Sequence, residues 1–112
     1  ARVLALVDRA LSVSSSLGES SMIGDRRVGH VIDPRSGLTI DAPRTSVAVG
    51  RSATEAEVWS TALLVLDASE GISRASSAAS VETWVRFETG DVAATGGFER
   101  YWALESGSAD GP

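Results

Sequence analysis

The chain has 112 residues, 43% hydrophobic and 22% charged, with a formal net charge of −5. That length allows one domain with a core of its own, and not two. The acidic balance argues against nucleic acid or an anionic membrane surface as a partner of this segment, because both call for clustered Lys and Arg.

Any phosphate ligand must therefore find its positive field in a metal ion or in backbone amides. There is no cysteine, which removes disulfides, thiolate metal sites and cysteine nucleophiles. All ten basic residues are arginine, and Lys, Asn and Gln are missing, a bias of GC-rich coding rather than of function. No apolar run reaches the ~20 residues of a membrane span. The chain opens on Ala1-Arg2-Val3, without an initiator Met and already in a strand-like run, so it is expected to be a piece of a longer protein. Cytoplasmic and exported locations both stay open, since a signal or lipoprotein segment would lie upstream of Ala1.

In chain order, Val3 to Val7 is a short apolar run broken by Asp8-Arg9, and Leu11 to Ser14 resumes it: two strands, or one bent strand. Ser14-Ser15-Ser16-Leu17-Gly18 reads as a turn, with hydroxyls and amides that an anion could use. Ser20 to Ile23 and Arg27 to Ile32 flank Gly24-Asp25 and predict a β-hairpin. The second strand should end at Asp33-Pro34, because Pro cannot donate to the ladder, and Gly37 should close the following turn in a left-handed conformation. Thr45 to Val49 predicts a further strand.

Ser52-Ala53-Thr54-Glu55 is a capping box, so a helix should run from Ala53 to about Leu66. Its apolar stripe is Val58, Ala62, Val65 and Leu66, with Trp59 and Leu63 beside it. Ser69 to Ala78 predicts a second, serine-rich helix. Val81 to Phe87 and Val92 to Thr95 predict a hairpin around Thr89-Gly90-Asp91, with Trp84 and Phe87 as bulky core residues. Phe98 to Leu104 predicts a last strand, and Glu105 to Pro112 a disordered tail. The sum is an α+β domain: mixed, mostly antiparallel short strands, one well-capped helix and one weaker helix.

Two constellations could carry chemistry. His30, the only histidine, precedes Asp33, Pro34 and Arg35. It is the only side chain that titrates unperturbed near neutral pH, although a lone strand histidine is more often structural. Glu57 and Thr61 lie four apart on one helix face, a carboxylate and a hydroxyl that suit Mg²⁺ with phosphate and water completing the shell. A solvent-facing Glu over a half-buried Thr is the plainer reading. There is no phosphate-binding Gly-rich loop of the Walker or dinucleotide type.

The order of the segments resembles the C-terminal part of the FAD:protein FMN transferases, the ApbE family. The family's His-x-x-Asp-Pro-Arg-(Thr/Ser)-Gly signature stands complete as His30, Asp33, Pro34, Arg35, Ser36 and Gly37. The upstream Ala-Thr-Ser-Gly segment is represented by Ser12-Val13-Ser14-Ser15, without the Thr or the Gly. The Ser-Val-Thr-Val-like strand is Ser46-Val47-Ala48-Val49. The following Ala-Asp-Ala-Leu-Ala-Thr-Ala-Leu-like helix is Ala56-Glu57-Val58-Trp59-Ser60-Thr61-Ala62-Leu63, with Glu57 where the family has Asp. Gly90-Asp91-Val92 through Gly97-Phe98 matches the closing hairpin.

The resemblance spans roughly residues 3 to 103. It implies an ApbE-like, T-fold-type segment over 1–104 with a tail at 105–112, in a chain lacking the family's N-terminal half. It further implies Mg²⁺-dependent attachment of FMN, taken from FAD, to a threonine hydroxyl of a target protein, with release of AMP. On that reading Glu57 and Thr61 hold the metal. Ser14, Ser15, His30, Asp33 and Arg35 border the nucleotide, and His30 is catalytic. A flavin-nucleotide binder without transfer activity, or a purely structural α+β module, are the alternatives.

Overall fold

The computed structural model describes residues 3–16, 21–23, 26–28, 31–38, 43–78 and 80–103. The expected tail at 105–112 lies outside them. The centre of the fold is a four-stranded antiparallel sheet of order β2-β5-β6-β7: β2 (Ala10–Ser15), β5 (Thr45–Gly50), β6 (Glu82–Arg86) and β7 (Val92–Ala94). Two small pairs accompany it. β1 (Val3–Leu4) pairs with β8 (Trp102–Ala103), and β3 (Ser21–Ile23) pairs with β4 (Arg26–Val28). Helices α1 (Ala53–Val65) and α2 (Ala68–Ser77) follow β5 in the chain. The fold is thus the expected α+β class, with short antiparallel strands.

The sheet divides the interior in two because successive strand residues point to opposite faces. On one face, Ser46 and Ala48 of β5 meet α1, in register with Ser14 and Ser12 of β2. On the other, Val47 and Val49 pack with buried Phe98 and with Leu4, Leu6, Trp84, Tyr101 and Trp102. Trp84 meets Trp102 edge-on, with ring centroids 6.1 Å apart, and Phe98 meets Trp102 at 5.5 Å.

The α1 face has little bulk at the contact. Ala48, Ala56 and Val81 form its buried cluster, with Trp59 and Ala78 at the margin. Between sheet and helix runs a seam of serines. Ser12 and Ser14 hydroxyls pair with the buried Ser60 hydroxyl at 2.9 and 2.7 Å, and Ser46 donates to the Ser60 carbonyl. Small side chains let the helix sit close, and hydroxyls satisfy one another where water is excluded.

The capping box operates with one change. Ser52 accepts from the Glu55 amide at 3.1 Å, but the Glu55 carboxylate accepts from the Arg51 amide at 2.9 Å, one residue before the cap. The Ser80 hydroxyl also donates to Glu55, and these two bonds, Ser80's first, hold its carboxyl below the usual range. α2 is capped by Asp67, which accepts from the Glu70 amide at 2.8 Å.

Three expectations need correction. The expected apolar stripe of α1 is only partly in the core: Leu63 is buried and Trp59 packs on the Ala48–Ala56–Val81 cluster, but Ala62, Val65 and Leu66 are half-buried. The residues buried on α1 are Ala56, Ser60, Leu63 and Leu64, whereas Val58 is 60% exposed. The strand expected over Arg27 to Ile32 is not strand at Val31, and Ile32 makes only an isolated bridge; residues 29 and 30 lie outside the described residues. The expected strand over Phe98–Leu104 begins instead as a 3₁₀ turn, Phe98–Tyr101, before the two residues of β8. Phe98, buried beside Val49, opens that turn, and Tyr101 and Trp102 pack on the same cluster. Among the described residues no helix is long and apolar enough to cross a membrane.

Candidate functional site

Residues 33–38 form a closed turn. The Gly37 amide donates to the Asp33 carbonyl at 2.8 Å, and the Asp33 amide donates to the Leu38 carbonyl at 2.9 Å. The Asp33 carboxylate accepts from the Arg35 amide at 2.9 Å, the local bond by which Asp favours turns. Gly37 takes a φ of +73°, the left-handed geometry expected from the sequence. The Arg35 guanidinium and the Arg35 amide, in that order, hold the Asp33 carboxyl below the usual range, and Asp33 in turn raises Arg35.

Arg35 also anchors this turn to the helices. Its guanidinium donates to Asp33 at 3.2 and 3.4 Å and to the Val65 carbonyl at the end of α1 at 3.2 Å. It lies 3.8 Å from the Glu70 carboxylate on α2. The side chain stays 58% exposed, so it is held in place and still open to a ligand.

The turn and α1 enclose a groove of about 360 Å³, lined by Val31, Ile32, Pro34, Arg35, Thr61, Ala62, Val65 and Leu66. A second groove of about 540 Å³ continues along α1 past Thr54, Glu57, Val58, Thr61 and Ala62. Thr61 and Ala62 line both. The part of the apolar stripe missing from the core is here. Val58, Ala62, Val65 and Leu66 form the wall of this concave surface, which polar side chains edge on one side. A mostly apolar wall with a few polar groups is the usual composition of a small-molecule site.

The expected site residues fall into three groups. Asp33, Arg35, Glu57 and Thr61 come together around the two grooves. Ser14 and Ser15 do not join them, and they lie in β2 rather than on a turn. Ser14 is engaged with Ser60 on the sheet side of α1. Ser15 borders a separate cleft of about 250 Å³ with Arg44, Thr45, Arg86 and Glu88. His30 lies outside the described residues.

Glu57 and Thr61 present two hard oxygen donors one helical turn apart. Among the described residues no group of three or more His, Cys, Asp or Glu gathers to hold a metal. This donor set fits Mg²⁺ carried with a phosphate ligand, not an all-protein cage, because Mg²⁺ keeps several waters and uses one or two carboxylates beside substrate phosphates.

Sequence reading missed two contributors. Ser60 sits inside an apolar run, and only its position toward β2 shows that its hydroxyl joins a buried seam. Arg44 precedes β5 without a motif of its own, yet its guanidinium closes the end of α1, donating to the carbonyls of Leu63, Leu64 and Leu66 at 3.3, 3.2 and 2.8 Å. One signal was available: α1 has no basic residue in its last turn to complement the helix dipole.

No curated protein matches the chain. The family model of the ApbE family matches residues 1–85, which include the Asp33–Gly37 turn, β5 and all of α1, and end before the Gly90–Phe98 segment. The chain therefore belongs to the ApbE family, a family of flavin-related transferases.

Proposed function

We propose that this protein is a Mg²⁺-dependent FAD:protein FMN transferase, moving FMN from FAD to a threonine hydroxyl of a target protein. The observation that carries the proposal is the pair of grooves on α1. An apolar wall, with Val58 exposed and Ala62, Val65 and Leu66 half-buried, runs from Glu57 and Thr61 to the Asp33-Pro34-Arg35 turn. The polar groups at its edge are of the kinds a flavin dinucleotide needs: oxygen donors for a metal–pyrophosphate unit and an arginine held in place by a carboxylate.

In the reaction the threonine oxygen of the target bonds to the FMN phosphorus. The anhydride P–O bond breaks, and AMP leaves with the bridging oxygen. The threonine proton passes to a base, for which His30 is the candidate within this chain. Mg²⁺, when bound, offsets the pyrophosphate charge and polarises the phosphorus. The residues of this chain contribute by position. Glu57 and Thr61 present their oxygens from a capped helix. Arg35, held by Asp33, places a guanidinium at the groove edge beside the α1 terminus. The apolar wall shields ring and ribose from water. Positioning and charge stabilisation supply most of the catalysis in phosphoryl transfer.

A second reading, a flavin-nucleotide binder without transfer activity, draws on Ser14, whose hydroxyl is occupied by Ser60 and so is not free for a phosphate.

The test incubates the protein with FAD, Mg²⁺ and candidate acceptor proteins and looks for flavin fluorescence that survives denaturing electrophoresis. Labelling that disappears in His30→Ala, with the fold intact by circular dichroism, supports the transferase. FAD binding without a label supports the binder, and neither binding nor label refutes both.

A further inference from the structure

An α-helix leaves its last four carbonyls without intrahelical partners. In α1 the last intrahelical bond runs from the Leu66 amide to the Ala62 carbonyl at 3.0 Å, which leaves Leu63, Leu64, Val65 and Leu66. Two arginines from two different loops take all of them. The two N–H groups of Arg44 Nη1 are shared among the Leu63, Leu64 and Leu66 carbonyls, and Arg35 donates to Val65 from Nη2. The two guanidiniums also place positive charge at the negative end of the helix dipole.

Arg44 is itself held from several sides. Its guanidinium lies 4.8 Å over the Phe87 ring just after β6. Its amide donates to the Ser16 hydroxyl at 2.9 Å, and the Ser16 amide donates to its carbonyl at 3.0 Å, just beyond β2. Arg44 thus ties the ends of two strands to the end of α1, through its backbone at Ser16 and through its side chain at Phe87 and the helix carbonyls. Arg35, by contrast, belongs to the turn that forms the facing wall of the groove.

We infer that Arg44 is a positioning residue for the α1 groove: by seating the helix terminus on the sheet it fixes where the Val65 carbonyl receives Arg35. It therefore sets the spacing between the Asp33–Gly37 turn and the helix that carries Glu57 and Thr61. Arg44 lines neither groove along α1 and is not part of the Asp-Pro-Arg motif. Its consequence for flavin binding rests on the function proposed above; the coupling between helix end and turn does not.

The test follows amide hydrogen exchange by NMR, together with the Mg²⁺ concentration for half-maximal FAD binding, well below the unfolding temperature. In Arg44→Met the Gly37 amide, on a turn that Arg44 does not touch, exchanges on the order of tenfold faster. Arg44→Lys, which keeps a cation with three donors on one nitrogen, restores part of the protection. The Mg²⁺ requirement rises about tenfold in Arg44→Met, the size typical of groups that orient metal ligands.

If only the Leu66 amide speeds up and Gly37 is unchanged, Arg44 is a local cap and the inference is overturned. The same holds if Gly37 responds but the Mg²⁺ requirement does not, because the effect is then purely structural. Should Arg44→Met not fold, Phe87→Leu takes its place, with the same outcomes read. A wild-type protein that binds no FAD with Mg²⁺ refutes the flavin reading, and Gly37 exchange still decides whether the clamp couples helix to turn.

Discussion

Replacing Ser60 with alanine tests the seam on which α1 is seated. The Ser60 hydroxyl is fully buried and contacts Ser12 at 2.9 Å, Ser14 at 2.7 Å and the Glu57 carbonyl at 3.2 Å. At about 1 kcal/mol net for each hydrogen bond, the ceiling of the loss is about 3 kcal/mol. Two effects reduce it. Ser12 and Ser14 are only half-buried, so water recovers part of their bonding. Alanine also returns about 0.5 kcal/mol of helix propensity relative to serine. The expected net destabilisation is about 1–2 kcal/mol, which for a domain of this size lowers the melting temperature by about 5–10 °C. Thermal unfolding by far-UV circular dichroism reads this directly. A double-mutant cycle with Ser14→Ala should give a coupling of about 0.5 kcal/mol or more, since the two hydroxyls touch. An unchanged or raised melting temperature, with no coupling, would show that the seam does not hold the helix to the sheet.

Glu57→Gln and Thr61→Ala change exposed side chains on α1, so stability should stay within about 0.5 kcal/mol, while titration calorimetry shows weaker Mg²⁺-dependent FAD binding; Glu57→Asp should retain it, and equal binding in all three variants would remove the pair from the site. Gly37→Ala meets no atom within 4 Å but must keep a φ of +73°, so its cost is conformational alone. That cost is about 1 kcal/mol, read as a lower denaturant midpoint, and an unchanged midpoint would contradict the turn geometry. Asp33 supplies a pH dependence. Its folded-state pKa lies below the ordinary aspartate value of about 3.9, so the stabilisation is present above that value and lost as pH falls through the lower, folded one. NMR shifts of the Arg35 and Gly37 amides should therefore stay constant at neutral pH and move only below about pH 4. In Asp33→Asn that acid transition should vanish, and its persistence would assign it to another group.

The turn at Asp33–Gly37 is legible in the sequence because its geometry is local: an aspartate that bonds its own backbone, a proline that stops a ladder and a glycine that accepts positive φ. The start of α1 is legible for the same reason, since Ser52 and Glu55 cap within one turn of chain. The side of α1 that is buried is not. Periodicity marks Val58, Ala62, Val65 and Leu66 as the apolar face, and an apolar face is ordinarily core. The sheet presents serines and alanines to this helix, so the close contact goes to Ala56 and Ser60; Leu63 and Leu64 are buried too, and Val58, Ala62, Val65 and Leu66 are left to wall a groove.

By itself, then, the sequence determined the α+β class, the two helices and the motif turn, because these depend on neighbours within a few residues. Only the tertiary structure decided which hydroxyls are consumed inside the fold, which apolar stripe is left open, and how Arg35 and Arg44 divide the carbonyls at the end of α1. Those outcomes depend on residues 14 to 48 positions apart meeting across a helix–sheet interface, where close packing and the need to satisfy buried polar groups choose the partners.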